Sequence, residues 1–182
     1  MIIAVLSEFA HRCRVALAVS VAVFAMAASR PADAQLPSIA RDPVDLVIIY
    51  KSDRLLELKR KGQVVHSFKI ALGAEPEGHK LAEGDSRTPE GVYTLDWRNP
   101  HSQFYRSIHI SYPHAMDQAS ALRRGVSPGG LVMIHGLPNG RRADEMNHPA
   151  NDWTNGCIAV TNDEMDQIWS LVEDGTTIII FP

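Results

Sequence analysis

The chain has 182 residues, of which 45% are hydrophobic and 21% charged, proportions that fit one soluble globular domain plus a targeting segment. Its formal net charge of -3 gives no bulk electrostatic reason to expect nucleic acid or an anionic membrane surface as a partner. Nothing in these totals points to a fibrous, repetitive or disulfide-rich protein.

Residues 1–34 read as a secretory signal. Arg12 and Arg14 precede a mostly apolar run from Val15 to Ala28, and Ala32-Asp33-Ala34 then presents a small-x-small cleavage pattern. The run falls short of the roughly 20 apolar residues that a spanning helix needs. Cleavage after Ala34 is therefore expected, with Gln35 as first mature residue and no stable membrane insertion afterwards. Cleavage also removes Cys13 and leaves Cys157 as the lone thiol in an oxidising compartment. Such a cysteine is either a small buried apolar residue or a nucleophile.

Residues 35–43 form a short polar lead-in, and the domain proper is expected over 44–182. Val44–Tyr50, Arg54–Arg60 and Gln63–Leu72 read as a strand meander with tight turns at Lys51-Ser52-Asp53 and Lys61-Gly62. Residues 73–89, rich in Gly, Glu and Pro, make a long loop of the kind that often carries function. Gly91–Asp96 and Ser107–Ser111 are further short strands, and Asp117–Arg124 is a helix that Gly125 ends. Leu131–Ile134 is a buried-type strand running into His135-Gly136, and a polar loop from Leu137 to Asn151 follows. After the short strand Cys157–Val160, Thr161 and Glu164 form a capping box, and Met165, Ile168, Trp169 and Val172 share one helix face. Thr176–Phe181 is the closing strand. Strands that connect locally, with one or two helices, predict a mainly β protein with minor α: a largely antiparallel sandwich or barrel-like core.

Two segments place a polar residue at the edge of an apolar strand: Ile134-His135-Gly136, and Thr154-Asn155-Gly156-Cys157-Ile158. An imidazole near a thiol can take its proton or hold the thiolate as an ion pair. Gly156, with no Cβ, lets the backbone turn sharply, so that the amides of Asn155, Gly156 and Cys157 converge as oxyanion donors.

With these residues the chain resembles the L,D-transpeptidase family, also called the YkuD domain. The pattern is His135-Gly136, a variable loop, then Thr154-Asn155-Gly156-Cys157, with Thr88-Pro89-Glu90-Gly91-Val92-Tyr93 similar to the Thr-Pro-x-Gly-x-aromatic segment that precedes it. The resemblance covers residues 44–182 and implies a β-sandwich of mixed sheets. It also implies an exported enzyme, here of the periplasm, whose partners are peptidoglycan stem peptides as donor and acceptor. On that resemblance Cys157 is the nucleophile and His135 the base, and the Gly136 carbonyl orients the imidazole. No metal or organic cofactor is implied, and carbapenems acylate the same cysteine. Thr154, Trp153, Arg87 and Arg141 are the expected substrate contacts. One position departs: where the family carries Arg, sometimes Asn, two residues after the cysteine, this chain has Ala159. Arg87, Arg141 and Arg142 are the possible replacements.

Three rivals accompany this reading. The same thioester could be resolved by water, giving an L,D-carboxypeptidase or a hydrolase. The chain could bind peptidoglycan without catalysis, for which Ala159 is the hint. His135, His148 and Cys157 could be zinc ligands, although their spacing matches no compact pattern. Asp152 and Glu90 are expected to be solvated carboxylates, and the loop bearing His148 and Trp153 a lid.

Overall fold

A computed structural model describes residues 43–182. The expected signal segment, its cleavage point and the lead-in as far as Asp42 lie outside the described residues. The elements are β1 (Val44–Tyr50), β2 (Leu55–Arg60), β3 (Gln63–Lys69), β4 (Gly91–Ser102), β5 (Tyr105–Ile110), α1 (Ala115–Arg124), β6 (Met133–His135), β7 (Ile158–Ala159), α2 (Asn162–Leu171) and β8 (Val172–Phe181). A 3-10 turn at Asp144–Met146 interrupts the loop before β7.

The strands form one mixed sheet in the order β3-β2-β1-β8-β4-β5-β6-β7. Its first half is the expected antiparallel meander, with Leu46 opposite Lys59 and Leu56 opposite Phe68. Local connectivity does not explain β8, which lies between β1 and β4. It runs parallel to β1, with Ile48 beside Ile179, and antiparallel to β4, with Tyr93 beside Ile178. Parallel pairing recurs between β6 and β7, where His135 is level with Ala159. The sheet then curls. Beyond β3, Ala71 and Ala159 exchange N–H···O bonds of 2.9 and 2.8 Å, so the chain leaving one outer strand meets the other. This closure satisfies backbone groups that an open edge would leave bare.

The core is aliphatic. Val47, Ile49, Leu56, Leu58, Leu95, Ile108, Ile134, Ile158 and Ile178 are all shut off from solvent. The face of α2 bearing Met165, Ile168 and Leu171 is buried, as its spacing predicts. Its start is fixed by the expected capping box: Thr161 Oγ1 accepts from Glu164 N (3.3 Å), and Glu164 Oε2 accepts from Thr161 N (2.8 Å). Trp169 is half-buried on the same face, with the Arg98 and Arg106 guanidinium groups 5.2 and 5.5 Å from its ring.

Several boundaries move. α1 begins at Ala115 because His114 caps it, its ring accepting from Asp117 N while Asp117 Oδ2 accepts from His114 N. A histidine is an uncommon cap, so the usual signal is missing. β4 runs on to Ser102, well past Asp96. β6 starts only at Met133, because Leu131 adopts φ 54° and is 70% exposed, which breaks the expected strand at its first residue. α2 stops at Leu171, so Val172, expected on its apolar face, instead opens β8, which takes in Asp174-Gly175.

Candidate active site

β6 ends at His135 and β7 begins just after Cys157; the parallel register, Ile134 beside Ile158, sets Cys157 next to Met133, one strand over and two residues short of His135. Both line a cavity of about 440 Å³ whose other walls include Phe104, Leu131, Met133, Pro138 and Trp153. On the opposite flank Cys157 also lines a second, more polar hollow of about 370 Å³ with Lys80, Glu83, Ser86 and Asn155. The thiol thus stands between an aromatic cavity and a polar one.

His135 is only 3% exposed. Its ring centroid lies 4.6 Å from that of Phe104 and 5.7 Å from that of Trp153. This burial disfavours the charged imidazolium and lowers the pKa to about 4, against the opposing pull of the Gly136 bond. That bond, 2.7 Å from Nδ1 to the Gly136 carbonyl, also sets the tautomer. A carbonyl only accepts, so Nδ1 carries the hydrogen and the neutral ring keeps its lone pair on Nε2. Gly136 itself is tightly enclosed: a Cβ there would lie 2.6 Å from Asn162 Oδ1 and 3.0 Å from Tyr105 Cβ.

The half-buried Cys157 Sγ accepts from Met133 N (3.4 Å) and faces the Leu131 carbonyl at 3.7 Å. Burial pushes its pKa up, partly offset by the Met133 N–H and by the charge of Lys80. Cysteine shifted up and histidine shifted down both favour a neutral resting pair over the thiolate–imidazolium alternative. Such a pair can do base-assisted nucleophilic chemistry, the proton leaving sulfur as the new bond forms.

The turn before Cys157 explains its residue types. Gly156 has φ 116°, a left-handed conformation that side chains disfavour, and a Cβ there would lie 2.5 Å from Arg87 O. Its N–H, expected as an oxyanion donor, is instead given to Thr154 Oγ1 at 3.1 Å, while the Thr154 hydroxyl donates to Cys157 O at 2.7 Å. Among the described residues no hydrogen bond takes the N–H of Asn155 or of Cys157. Thr154, expected to contact substrate, is among the residues lining the aromatic cavity; it is 4% exposed, and its hydroxyl holds the turn together.

Other expected residues sit elsewhere. Arg141 pairs with Glu145 and Arg142 with Asp144, away from both hollows at Cys157. Arg87 lies against Gly78 and lines neither of them. Ala159 is fully buried in the sheet closure, where a guanidinium would have to be taken out of water. Trp153 does line the aromatic cavity, and its indole N–H donates to His148 Nδ1 at 3.4 Å. Asp152 and Glu90 are not solvated carboxylates. Asp152 accepts from Arg54 Nε and Nη2 and from Leu72 N, and Glu90 accepts from the buried Lys51. Residues the motif did not reveal are Phe104, which covers His135, and Lys80, which lines the polar hollow. Neither is in a recognisable pattern, because β4–β5 and the 73–89 loop bring them in from distant sequence. Among the described residues no group of three or more His, Cys, Asp or Glu side chains is placed to hold a metal, and no helix is long and apolar enough to cross a membrane.

Fold and site together are a curled mixed sheet in which His135 ends one strand and Cys157 immediately precedes the parallel strand beside it. Residues 44–180 match the model of the L,D-transpeptidase catalytic domain, YkuD, and the chain belongs to that family. The Escherichia coli (strain K12) protein YafK, named provisionally as an L,D-transpeptidase, is 32% identical over 131 residues, covering 68% of this chain and 45% of its own. The crystal structure of the helical cell shape determining protein Pgp2 from Campylobacter jejuni is similar at 30% identity and a TM-score of 0.58, over 76% of this chain and 48% of that one. An L,D-transpeptidase structure (residues 123–326) from Xylanimonas cellulosilytica shares the fold, with 17% identity, a TM-score of 0.51, and coverage of 77% and 61%. The chain spans about half the length of YafK and Pgp2.

Proposed function

We propose that the chain is a cysteine-dependent L,D-transpeptidase acting on peptidoglycan stem peptides. The observation that carries this reading is the shared wall: His135, with Nδ1 tied to Gly136 O, and Cys157, raised on the Gly156 turn, line one cavity. Cys157 Sγ attacks the carbonyl carbon of the third stem residue, in the peptide bond to the terminal D-alanine, and His135 Nε2 takes the thiol proton. The N–H groups of Cys157 and Asn155 are the donors left for the oxyanion, since Gly156 N is bonded to Thr154. Collapse breaks the C–N bond, and D-alanine leaves with the proton that His135 returns. An amine of a neighbouring stem then attacks the thioester and regenerates the thiol. Trp153 and Phe104 are the apolar wall for the donor peptide. Gly136 is the orienting carbonyl in place of a carboxylate. The export signal in residues 1–34, cut after Ala34, belongs to the same proposal, with the periplasm as the compartment. So does a role in cell-wall organisation and cell shape, by likeness to Pgp2.

The test incubates the purified full chain with a disaccharide-tetrapeptide, with Cys157→Ala as control, and reads products by mass spectrometry. A Cys157-dependent dimer formed with loss of one D-alanine is the expected result. Tripeptide without dimer would replace transfer by hydrolysis. No product, no acyl-enzyme and no carbapenem adduct on Cys157 would overturn the catalytic reading and leave the binding one.

A further inference from the structure

Among the described residues, Lys80 is the one lysine or arginine lining either hollow at Cys157, and it is only 4% exposed. Its ammonium donates to Ala82 O (3.1 Å) and Asp85 Oδ1 (2.8 Å). Asp85 also accepts from three backbone amides: Leu81 N at 2.7 Å, Ala82 N at 3.0 Å and Arg87 N at 3.1 Å. Burial alone would raise the Asp85 pKa, but the Lys80 bond and these three amides hold it below the ordinary carboxylate value. One carboxylate therefore gathers the backbone of residues 81–87 into a fixed loop.

That loop meets the nucleophile turn backbone to backbone. A Cβ on Gly73 would lie 2.0 Å from Ser86 O and 2.9 Å from Gly156 Cα, and one on Gly156 would lie 2.5 Å from Arg87 O. Ser86 O also accepts from Glu75 N at 3.2 Å. Ser86-Arg87 is thus wedged between Gly73 and the turn that presents Cys157. Gly73 and Gly156 contribute no Cβ at these contacts, so the backbones pack directly and movement of the loop passes to the turn.

We propose that Lys80 and Asp85 are positioning residues for Cys157: their pair fixes Ser86-Arg87 against Gly156 and sets a cation on the polar flank of the thiol. This deepens the transpeptidase reading and rests on it for the acylation arm of the test. It also assigns the site a cation that Ala159, Arg87 and Arg141 do not provide. The titratable groups lining the two hollows are His135 on the aromatic side and Lys80 and Glu83 on the polar side, with Asp85 behind Lys80. The charge of Lys80 lowers the thiol pKa against its burial.

The experiment follows alkylation of Cys157 by iodoacetamide against pH, by the mass of the proteolytic peptide that carries Cys157 and so apart from Cys13, in the full chain and its variants. Lys80→Met removes the cation and raises the alkylation midpoint by about half to one pH unit; Asp85→Asn leaves the ammonium uncompensated and lowers it by a similar amount. A merely structural role would shift both the same way or neither. Lys80→Arg keeps the wild-type midpoint. Lys51→Met releases the loop from another side, where Lys51 donates to Gly78 O and Thr88 O, and lowers Tm without moving the midpoint. In the second arm, carbapenem acylation slows about tenfold in Lys80→Met and Asp85→Asn, as displaced reacting groups do. Where either variant fails to fold, Asp85→Glu keeps the charge and alters the reach, so acylation slows while the midpoint stays. Unmoved midpoints, shifts in one direction, or a wild-type acylation rate in folded Asp85→Glu each overturn the proposal. Alkylation needs no substrate. A wild-type chain that is alkylated but never acylated therefore defeats the transpeptidase reading, while the opposed midpoints still decide the role of the pair.

Discussion

The buried imidazole of His135 makes a quantitative claim on stability. Its folded pKa, lowered to about 4 by burial, lies below the value near 6.5 of an unfolded histidine. As pH falls from 6.5 toward 4 the unfolded chain binds a proton that the folded chain refuses, so stability declines across that window and levels off below it. The gap corresponds to about 3 kcal/mol, with no large discount for solvent screening at a residue so enclosed. His148, also lowered by burial, contributes with the same sign, and Asp85 loses its contribution only at more acid pH. The comparison must therefore be differential. Urea unfolding of wild type and His135→Gln is measured at pH 7.5 and at pH 4.5, and ΔG is taken by linear extrapolation. Wild type is expected to lose about 2–3 kcal/mol more than the variant between the two pH values. Equal losses would refute the argument that the Phe104–Trp153 enclosure keeps the ring neutral.

Two further outcomes follow from the same geometry. Phe104→Ala opens the imidazole to water, so the acid limb of the Cys157 acylation rate against pH should move up by about one unit toward the ordinary histidine value; an unmoved limb would mean that Phe104 does not shield the ring. Gly156→Ala meets both a left-handed φ and the Arg87 carbonyl, and should cost about 2–3 kcal/mol by thermal or urea unfolding along with most of the acylation rate. A variant that keeps both would contradict the close packing of turn and loop.

Much of the β architecture was legible because its signals are local. The alternation and turns over 44–72, the Thr161–Glu164 capping box and the buried face of α2 each depend on neighbours within a few residues. The His135-Gly136 and Thr154-to-Cys157 segments could likewise be singled out by residue type and by their place at strand ends. Misreadings arose where a distant partner decides. Leu131 looked like strand but turns left-handed, and Asp152 and Glu90 looked solvated but close on Arg54 and Lys51 from the first hairpin. Gly156 N looked free but is bound by a hydroxyl two residues back, since only the folded turn brings the two together.

The sequence by itself determined the mainly β class, the presence of the two helices and the start of α2, and the candidacy of Cys157 and His135, because periodicity, capping and motif spacing act over short stretches of chain. Only the tertiary structure decided that β8 inserts beside β1, that the sheet closes through Ala71 and Ala159, and that Lys80 lines the hollow beside the thiol. Those outcomes depend on which distant backbone edges and charges can be satisfied at once, a condition met only when the whole sheet has curled.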